Sequence, residues 1–186
     1  MTAGQRQPHS SLPGGTLLEL VTKLVNENRL ERIATAGFAV QQRLELARTN
    51  WERAQDVART RPTDYDFQFQ TMYTALIDGA NALVTALGFR VHGTDMSHMI
   101  LFGLAGCAIE PRAPEIAQRL SRINEQARRI RSEVTYNRVG VVSKQDRDRF
   151  FDDCSQILEE LEQFTCRQSN LPIPGHSWSN PLSGPS

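Results

Sequence analysis

The arginines close to residue 130 are the side chains in this sequence whose type and spacing best suit chemistry. Arg128 and Arg131 lie three residues apart, which places two side chains on one face of a helix. A guanidinium group holds two phosphate oxygens with parallel hydrogen bonds, so this pair is consistent with a phosphate-binding groove. A solvent-exposed helix face with weak ion pairs, such as Glu125 with Arg129, explains the same pattern. The spacing by itself leaves both interpretations open.

Charge is distributed unevenly along the 186 residues. The 21 basic and 21 acidic residues give a formal net charge of zero, which argues against overall attraction to nucleic acid or to an anionic membrane. Between Arg112 and Arg149, however, nine arginines and Lys144 outnumber five acidic residues, which leaves a local surplus of five positive charges. Nineteen of the 21 basic residues are arginines, and either an arginine-rich binding surface or a GC-rich genome explains that preference.

The motifs of several functional classes are absent. The sequence has no GxGxxG turn, P-loop, HExxH or GxSxG, which removes the common nucleotide, metal and hydrolase signatures. Its three cysteines include no CxxC pair, so we expect no disulfide framework and no zinc site. His92, Asp95 and His98 are weak indicators of a metal site, and we expect neither a metal nor another cofactor.

No segment has the character of a targeting or membrane-spanning sequence. Residues 1–15 lack the apolar stretch of a signal peptide, and no run approaches the roughly 20 apolar residues of a membrane span. We therefore expect a soluble cytoplasmic protein with no membrane partner.

The elements that must position these arginines are helices. Apolar residues recur at helical spacing in several segments, and no segment alternates with a period of two. Thr16 and a capping box at Ser143 and Asp146 supply N-terminal caps, and Gly88 suits the left-handed residue that ends a helix. The sequence therefore predicts an all-α fold with five or six helices. They are predicted from Thr16 to Asn26, from about Thr35 to Arg59, from Tyr65 to Leu87, from Thr94 or Asp95 to about Gly106, from Glu115 to Arg138 and from Ser143 to about Phe164.

We expect one domain, because 186 residues are short for two. The helical bundle is predicted to span residues 16–168. Residues 1–15 and 169–186 contain breakers such as proline and glycine and little to bury, and both are predicted to be disordered tails. Trp178, in the second tail, is expected to be mobile.

Six short segments form an ordered series along the chain. They are ENRLERI (27–33), Tyr65-Asp66, LGFRVHG (87–93), His98, RRIRSE (128–133) with Tyr136, and Val142-Ser143. In this order the segments resemble the HEPN superfamily, all-α domains named for nucleotide binding in prokaryotes and higher eukaryotes. The resemblance covers residues 17–164 and implies four core helices with one or two short helices. It also implies a homodimer in a toxin–antitoxin or phage-defence setting, with a small nucleotidyltransferase as a possible partner.

Many members of this superfamily are metal-independent ribonucleases whose motif is an arginine, four to six residues and then a histidine. Arg131 occupies the arginine position here, which implies that its guanidinium stabilises charge on the phosphorane. Tyr136 stands at the histidine position and Ser132 where asparagine is usual, so the chain is similar to a branch with tyrosine instead of histidine. A phenol with an ordinary pKa of about 10 is a poor general base at neutral pH.

Three further residues have two interpretations each. His98 near Arg131 would restore a catalytic pair, and otherwise it is a half-buried histidine close to a helix N-terminus. Asp66 and Arg90 are expected to belong to a partly buried ion pair between helices, and the alternative is a substrate clamp.

The sequence therefore predicts a HEPN-like domain with little or no catalytic activity that binds RNA, a nucleotide or a partner protein. The expected binding residues are Arg90, Arg128, Arg129, Arg131 and Ser132. The first alternative is a metal-independent endoribonuclease that uses Arg131 with Tyr136 or His98. The second alternative is a structural module that dimerises through an apolar surface, with the arginines as a salt-bridged rim.

Overall fold

The computed structural model describes residues 16–35, 37–92, 97–135, 140–175 and 177–180, except the side chains of Arg128 and of residues 131–135. Within these residues the chain forms six helices and one sheet of two short strands, which confirms the predicted all-α fold. The helices are α1 (Leu17–Asn26), α2 (Gly37–Thr60), α3 (Tyr65–Ala86), α4 (Ser97–Ile109), α5 (Pro114–Thr135) and α6 (Lys144–Gln168), and the strands are β1 (Leu30–Arg32) and β2 (Phe89–Val91).

The helix caps follow the sequence signals. The Thr16 hydroxyl accepts from the Glu19 backbone N–H, and the Glu19 carboxylate accepts from the Thr16 N–H, which completes a capping box. Ser143 and Asp146 form the same box at the start of α6, as predicted. Gly88 follows α3 with a φ of 83°, the left-handed conformation expected there. The two predicted caps of α4, Thr94 and Asp95, lie outside the described residues.

The small sheet was not predicted. β1 and β2 pair antiparallel, with Leu30 opposite Val91 and Arg32 opposite Phe89. Each strand has three residues, and such a short segment is too brief to show an alternating pattern in the sequence. The sheet ties the turn after α1 to the turn after α3.

The directions of the long helices follow from their contacts. Phe69 of α3 stacks on Phe150 of α6 with ring centroids 4.0 Å apart, and ten residues later Gly79 faces Leu158, so α3 and α6 run parallel. In contrast, α5 runs antiparallel to α6, because Arg112 in the turn before α5 pairs with Glu160, whereas the later Arg119 of α5 pairs with the earlier Asp153. The start of α3, the end of α5 and the start of α6 therefore lie at one end of the bundle, which we call the arginine end.

The segment after α6, which the composition predicts to be a disordered tail, packs against the helices where the structure describes it. Residues 169–175 and 177–180 lie along α2 and α6, and Trp178, expected to be mobile, is only 3% exposed. Its indole Nε1 donates to Glu162 Oε2 at 3.0 Å, and its ring meets Trp51 at a centroid distance of 6.3 Å. The composition of the segment did not reveal these two distant partners. Residues 1–15 and 181–186, also predicted to be disordered, lie outside the described residues.

None of the described helices combines the length and the apolar composition needed to cross a lipid bilayer.

The close contact at Gly79 gives a test of the α3–α6 packing. A Cβ at Gly79 would lie 2.9 Å from Leu158 Cδ2 and 3.4 Å from Leu161 Cδ1. We expect Gly79→Val to lower the free energy of unfolding by about 1–3 kcal/mol, measured by urea denaturation, because the core must shift to accept the added carbons. Gly106→Ala in α4 is the control. Its Cβ would have a nearest neighbour at 4.0 Å, and we expect a gain of about 0.4–1 kcal/mol. A Gly79→Val chain as stable as the original would contradict the described packing.

Candidate functional site

All predicted site residues except Arg90 and His98 belong to the last turns of α5 or follow them in the sequence. The backbone of α5 continues through Arg128, Arg131 and Ser132 to Thr135, so these positions are helical. The side chains of the three residues, and the whole of Tyr136, lie outside the described part of the chain. Arg129 is described, and its side chain is exposed at the arginine end.

Asp66 organises the backbone that leads from α5 into α6. One of its carboxylate oxygens accepts from the Gly140 N–H at 2.7 Å, and the other accepts from the Val142 N–H at 2.9 Å. Because Asp66 lies in the first turn of α3, these bonds tie the start of α3 to the start of α6. Asp66 thus positions this part of the arginine end, and it does so through backbone groups.

Arg90 is paired elsewhere, and the expected ion pair of Asp66 with Arg90 is wrong. The Arg90 guanidinium donates to Glu31 Oε2 from Nε at 3.0 Å and from Nη2 at 2.6 Å. The two residues are direct neighbours across the β1–β2 ladder, a pairing that helix-based reasoning did not include. The hydrogen bond from Arg90 lowers the pKa of Glu31 below its ordinary value. His92 Nε2 lies 3.1 Å from the same carboxylate oxygen.

His98 lies in an aromatic row. Its ring meets Tyr73 edge-on at a centroid distance of 5.8 Å, Tyr73 stacks on Phe69, and Phe69 stacks on Phe150. His98 is half-buried near the start of α4, as its second interpretation expected. Because the Arg131 side chain is outside the described residues, the approach of His98 to Arg131 stays a prediction.

Metal and thiol chemistry gain no support from the described residues. No three His, Cys, Asp or Glu side chains among them form a group that could hold a metal ion, and Asp95 lies outside them. Burial raises the pKa of the Cys107, Cys154 and Cys166 thiols above the ordinary value. All three are free cysteines that stay protonated at neutral pH, which makes them poor nucleophiles.

The contact of α6 with α5 and with the turn before α5, which we call the α5/α6 seam, has two ion pairs in its first part. Arg112 Nε lies 3.3 Å from Glu160 Oε1, and Arg119 Nη1 lies 2.9 Å from Asp153 Oδ1. These acidic partners, one helix away, neutralise part of the positive surplus that the sequence displays. The two arginines are therefore structural.

Arg147, near the start of α6, is a third structural arginine. Its side chain is buried, and Nη1 donates to Gln68 Oε1 while Nε lies 2.6 Å from Asp148 Oδ1. The guanidinium also lies over the ring of Tyr65, 5.0 Å from the centroid. Arg147 thus binds the start of α3 to the start of α6 and is not available to a ligand.

The other described arginines of the seam lie nearer the arginine end. Arg122, Arg129 and Arg149 are exposed, and none of them forms an ion pair with another described residue. The Glu125–Arg129 pair, offered as an ordinary explanation of the pattern, is not formed within 4.0 Å in the described part of the chain. The antiparallel register set by Arg119 and Asp153 places Arg149 level with Arg122. We call these three residues the arginine row.

Sequence reasoning did not single out Arg122 and Arg149. Arg122 precedes Arg129 by seven residues, two helical turns, so it lies on the same side of α5 and was detectable from spacing. Arg149 belongs to another helix, and only the register of α5 on α6 brings it to this level.

Comparison of the chain with models of protein families, with curated proteins and with solved structures gives no match.

Asp66 gives a test of how the arginine end is held. We expect Asp66→Ala to lower the free energy of unfolding by about 1–2 kcal/mol in chemical denaturation, because two backbone N–H groups lose a charged acceptor. Asp66→Asn keeps one acceptor oxygen and is expected to lose less. Asp56→Ala, which breaks an exposed pair with Arg59 on α2, is the matched control with an expected change of about 0–0.5 kcal/mol. Equal losses for Asp66→Ala and Asp56→Ala would disprove the positioning role.

Proposed function

We propose that the chain is a HEPN-like helical domain that binds RNA at the arginine end and has little or no catalytic activity. The observation that carries the proposal is the arginine row. Arg122, Arg129 and Arg149 are exposed and lack acidic partners among the described residues, whereas Arg112, Arg119 and Arg147 in the same stretch have such partners. The chain as a whole is neutral, so this end is a local concentration of positive charge.

The shape of the arginine row favours a polymer over a single nucleotide. Arg122 and Arg129 are separated by two turns of α5, which is about 10 Å along the helix axis. Several cations spread along an open surface each contact a different phosphate of one strand. A single nucleotide is normally enclosed by a concave pocket with a few converging polar groups. Arg128, Arg131 and Ser132 belong to the same turns of α5 and are included in the proposed surface on that basis.

The low activity follows from the residue at position 136. Tyr136 replaces the histidine of the superfamily motif, and an ordinary phenol keeps its proton at neutral pH. His98, the other candidate base, has its ring against Tyr73. We propose an accessory role in a toxin–antitoxin or defence setting, as a homodimer or with a nucleotidyltransferase partner. The main alternative is a metal-independent endoribonuclease that uses Arg131 with Tyr136 or His98.

RNA binding is tested by removing two charges of the arginine row. We expect Arg129→Ala with Arg149→Ala to weaken binding of a fluorescein-labelled single-stranded RNA at least tenfold at low salt. The slope of log K against log salt concentration is expected to become shallower by about 1.4, because two phosphate contacts are lost. Fluorescence anisotropy between about 50 and 200 mM salt measures both quantities.

The matched control for this experiment is Lys23→Ala with Arg53→Ala. These two exposed residues lie on α1 and α2, and their removal changes the net charge by the same amount. We expect the control to keep the original affinity and salt slope. If the control loses as much affinity as the row variant, binding depends on overall charge and the proposed surface is wrong.

Catalysis is tested separately with RNA and EDTA. We expect the original chain to cleave single-stranded RNA no faster than Arg131→Ala, as measured on denaturing gels. Tyr136→His restores the arginine–histidine spacing of the motif, and we expect it to gain cleavage that Arg131→Ala abolishes. Arg131-dependent cleavage by the original chain would establish the endoribonuclease alternative.

A further inference from the structure

The segment that follows α6 occupies a groove between α2 and α6. We call residues 171–175 and 177–180 the C-terminal strap, since residue 176 is outside the described part. The strap begins where the Leu171 N–H donates to the Cys166 carbonyl at 2.8 Å, and it then runs along α2 towards Gln55. The groove is distinct from the α5/α6 seam, because α6 presents Glu162 to α2 and Asp153 and Glu160 to α5 and the turn before it.

A carboxylate forms the floor of the groove and receives the indole of Trp178. Glu162 is 3% exposed, and its two oxygens have different partners. Oε1 accepts from Arg48 Nε at 2.9 Å, and Oε2 accepts from Trp178 Nε1 at 3.0 Å. Trp51 forms one wall and meets the Trp178 ring edge-on. We call this set, with Gln55 and Asp152, the tryptophan groove.

The other contacts near Trp178 are hydrogen bonds to groups that any extended peptide carries, a backbone carbonyl and a polar side chain. The Gln55 side-chain amide donates to the backbone carbonyl of Ser179 at 2.9 Å. Two residues after the tryptophan, the Asn180 amide donates to Asp152, an exposed carboxylate at the rim. The groove thus contacts an indole, a backbone carbonyl and a donor side chain in this order along the strap.

The strap is held mainly at its two ends. Leu171 packs on the Val40 and Leu44 cluster, and Trp178 fills the tryptophan groove. Between these anchors Pro172 is exposed and Ile173 is 50% exposed, so this part of the strap buries little apolar surface. A segment without helix or strand that has two anchors and few buried contacts opens locally at a lower free-energy cost than the helices.

From these contacts we propose that the tryptophan groove is a docking site for an extended segment of a partner protein. The partner segment carries a tryptophan followed two residues later by Asn, Lys or Arg. This residue donates a hydrogen bond to Asp152, and a Lys or Arg also complements the negative charge of Asp152. The C-terminal strap is the internal ligand of this site and covers it until a partner segment displaces it. The proposal does not depend on RNA binding, because no residue of the arginine row belongs to the tryptophan groove.

Binding in trans tests the proposal with the full chain. The variant Trp178→Ala removes the indole of the strap from the groove, and the probe is a fluorescein-labelled peptide with the strap sequence LPIPGHSWSN. We expect this peptide to bind Trp178→Ala at least tenfold more tightly than it binds the original chain, where the strap competes. The matched peptide with alanine in place of tryptophan is expected to bind at least tenfold more weakly, and Asp152→Ala in the Trp178→Ala background is expected to weaken binding at least twofold.

Two outcomes of this titration would overturn the proposal. One is a Trp178→Ala chain that is folded by circular dichroism and binds the peptide no better than the original chain does. The other is the formation of mixed dimers between Trp178→Ala and the original chain in analytical sedimentation, without binding of the peptide. The occupant of the groove would then be a second copy of the chain and not a partner protein.

A second measurement needs only the original chain and applies even if Trp178→Ala fails to fold. The indole N–H of Trp178 gives its own hydrogen-exchange rate by NMR. We expect it to exchange at least 100 times faster than the slowest backbone amides of α6, because the strap opens without global unfolding. An indole rate equal to that of the α6 amides would show that the strap does not open, and it would overturn the proposal.

Discussion

The packing of α3 against α6 is the contact on which the rest of the structure depends. Fourteen of the 22 residues of α3 are buried, so this helix has neighbours on most sides. The absence of a side chain at Gly79 lets Leu158 and Leu161 approach the α3 backbone, and the stacked rings of Phe69 and Phe150 fix the register. Because α3 and α6 run parallel, their first turns meet at one end. The arginine end exists as a consequence of that register.

The described arginines of this fold form two groups, paired and unpaired, that the amino-acid composition does not distinguish. Arg48, Arg112, Arg119 and Arg147 each have an acidic partner, and in three of these pairs the partner belongs to another helix. Arg122, Arg129 and Arg149 have none among the described residues. A buried guanidinium needs a partner because desolvation of an isolated charge is costly, whereas an exposed one keeps its water. The net charge of zero thus conceals a set of paired arginines, of which Arg147 is buried, and a small cationic surface.

Structural features that depend on neighbouring residues were predicted from the sequence, whereas features that depend on distant residues were not. The N-cap at Thr16 and the capping box of Ser143 and Asp146 join residues three positions apart, and both were correctly predicted. Helix positions followed from apolar spacing, although α4 extends to Ile109 rather than ending near Gly106. The partner of Arg90 and the burial of Trp178 depend on residues 59 and 16 positions away, and neither was predicted. For the candidate site, the helix that carries Arg129 was predicted, whereas the placement of Arg149 beside it was not, since the α5–α6 register is a tertiary property.

The C-terminal strap also has a consequence for the order in which the chain folds. The α2–α3 hairpin closes over a short turn, but the contact of Gln55 with Ser179 joins residues 124 positions apart. Closing a loop of this length costs more chain entropy than closing the hairpin, and such distant contacts form after local ones. The strap can dock only after α2 and α6 are side by side, since it contacts both. We therefore expect an early state in which the helices are assembled and the walls of the tryptophan groove are still exposed to water.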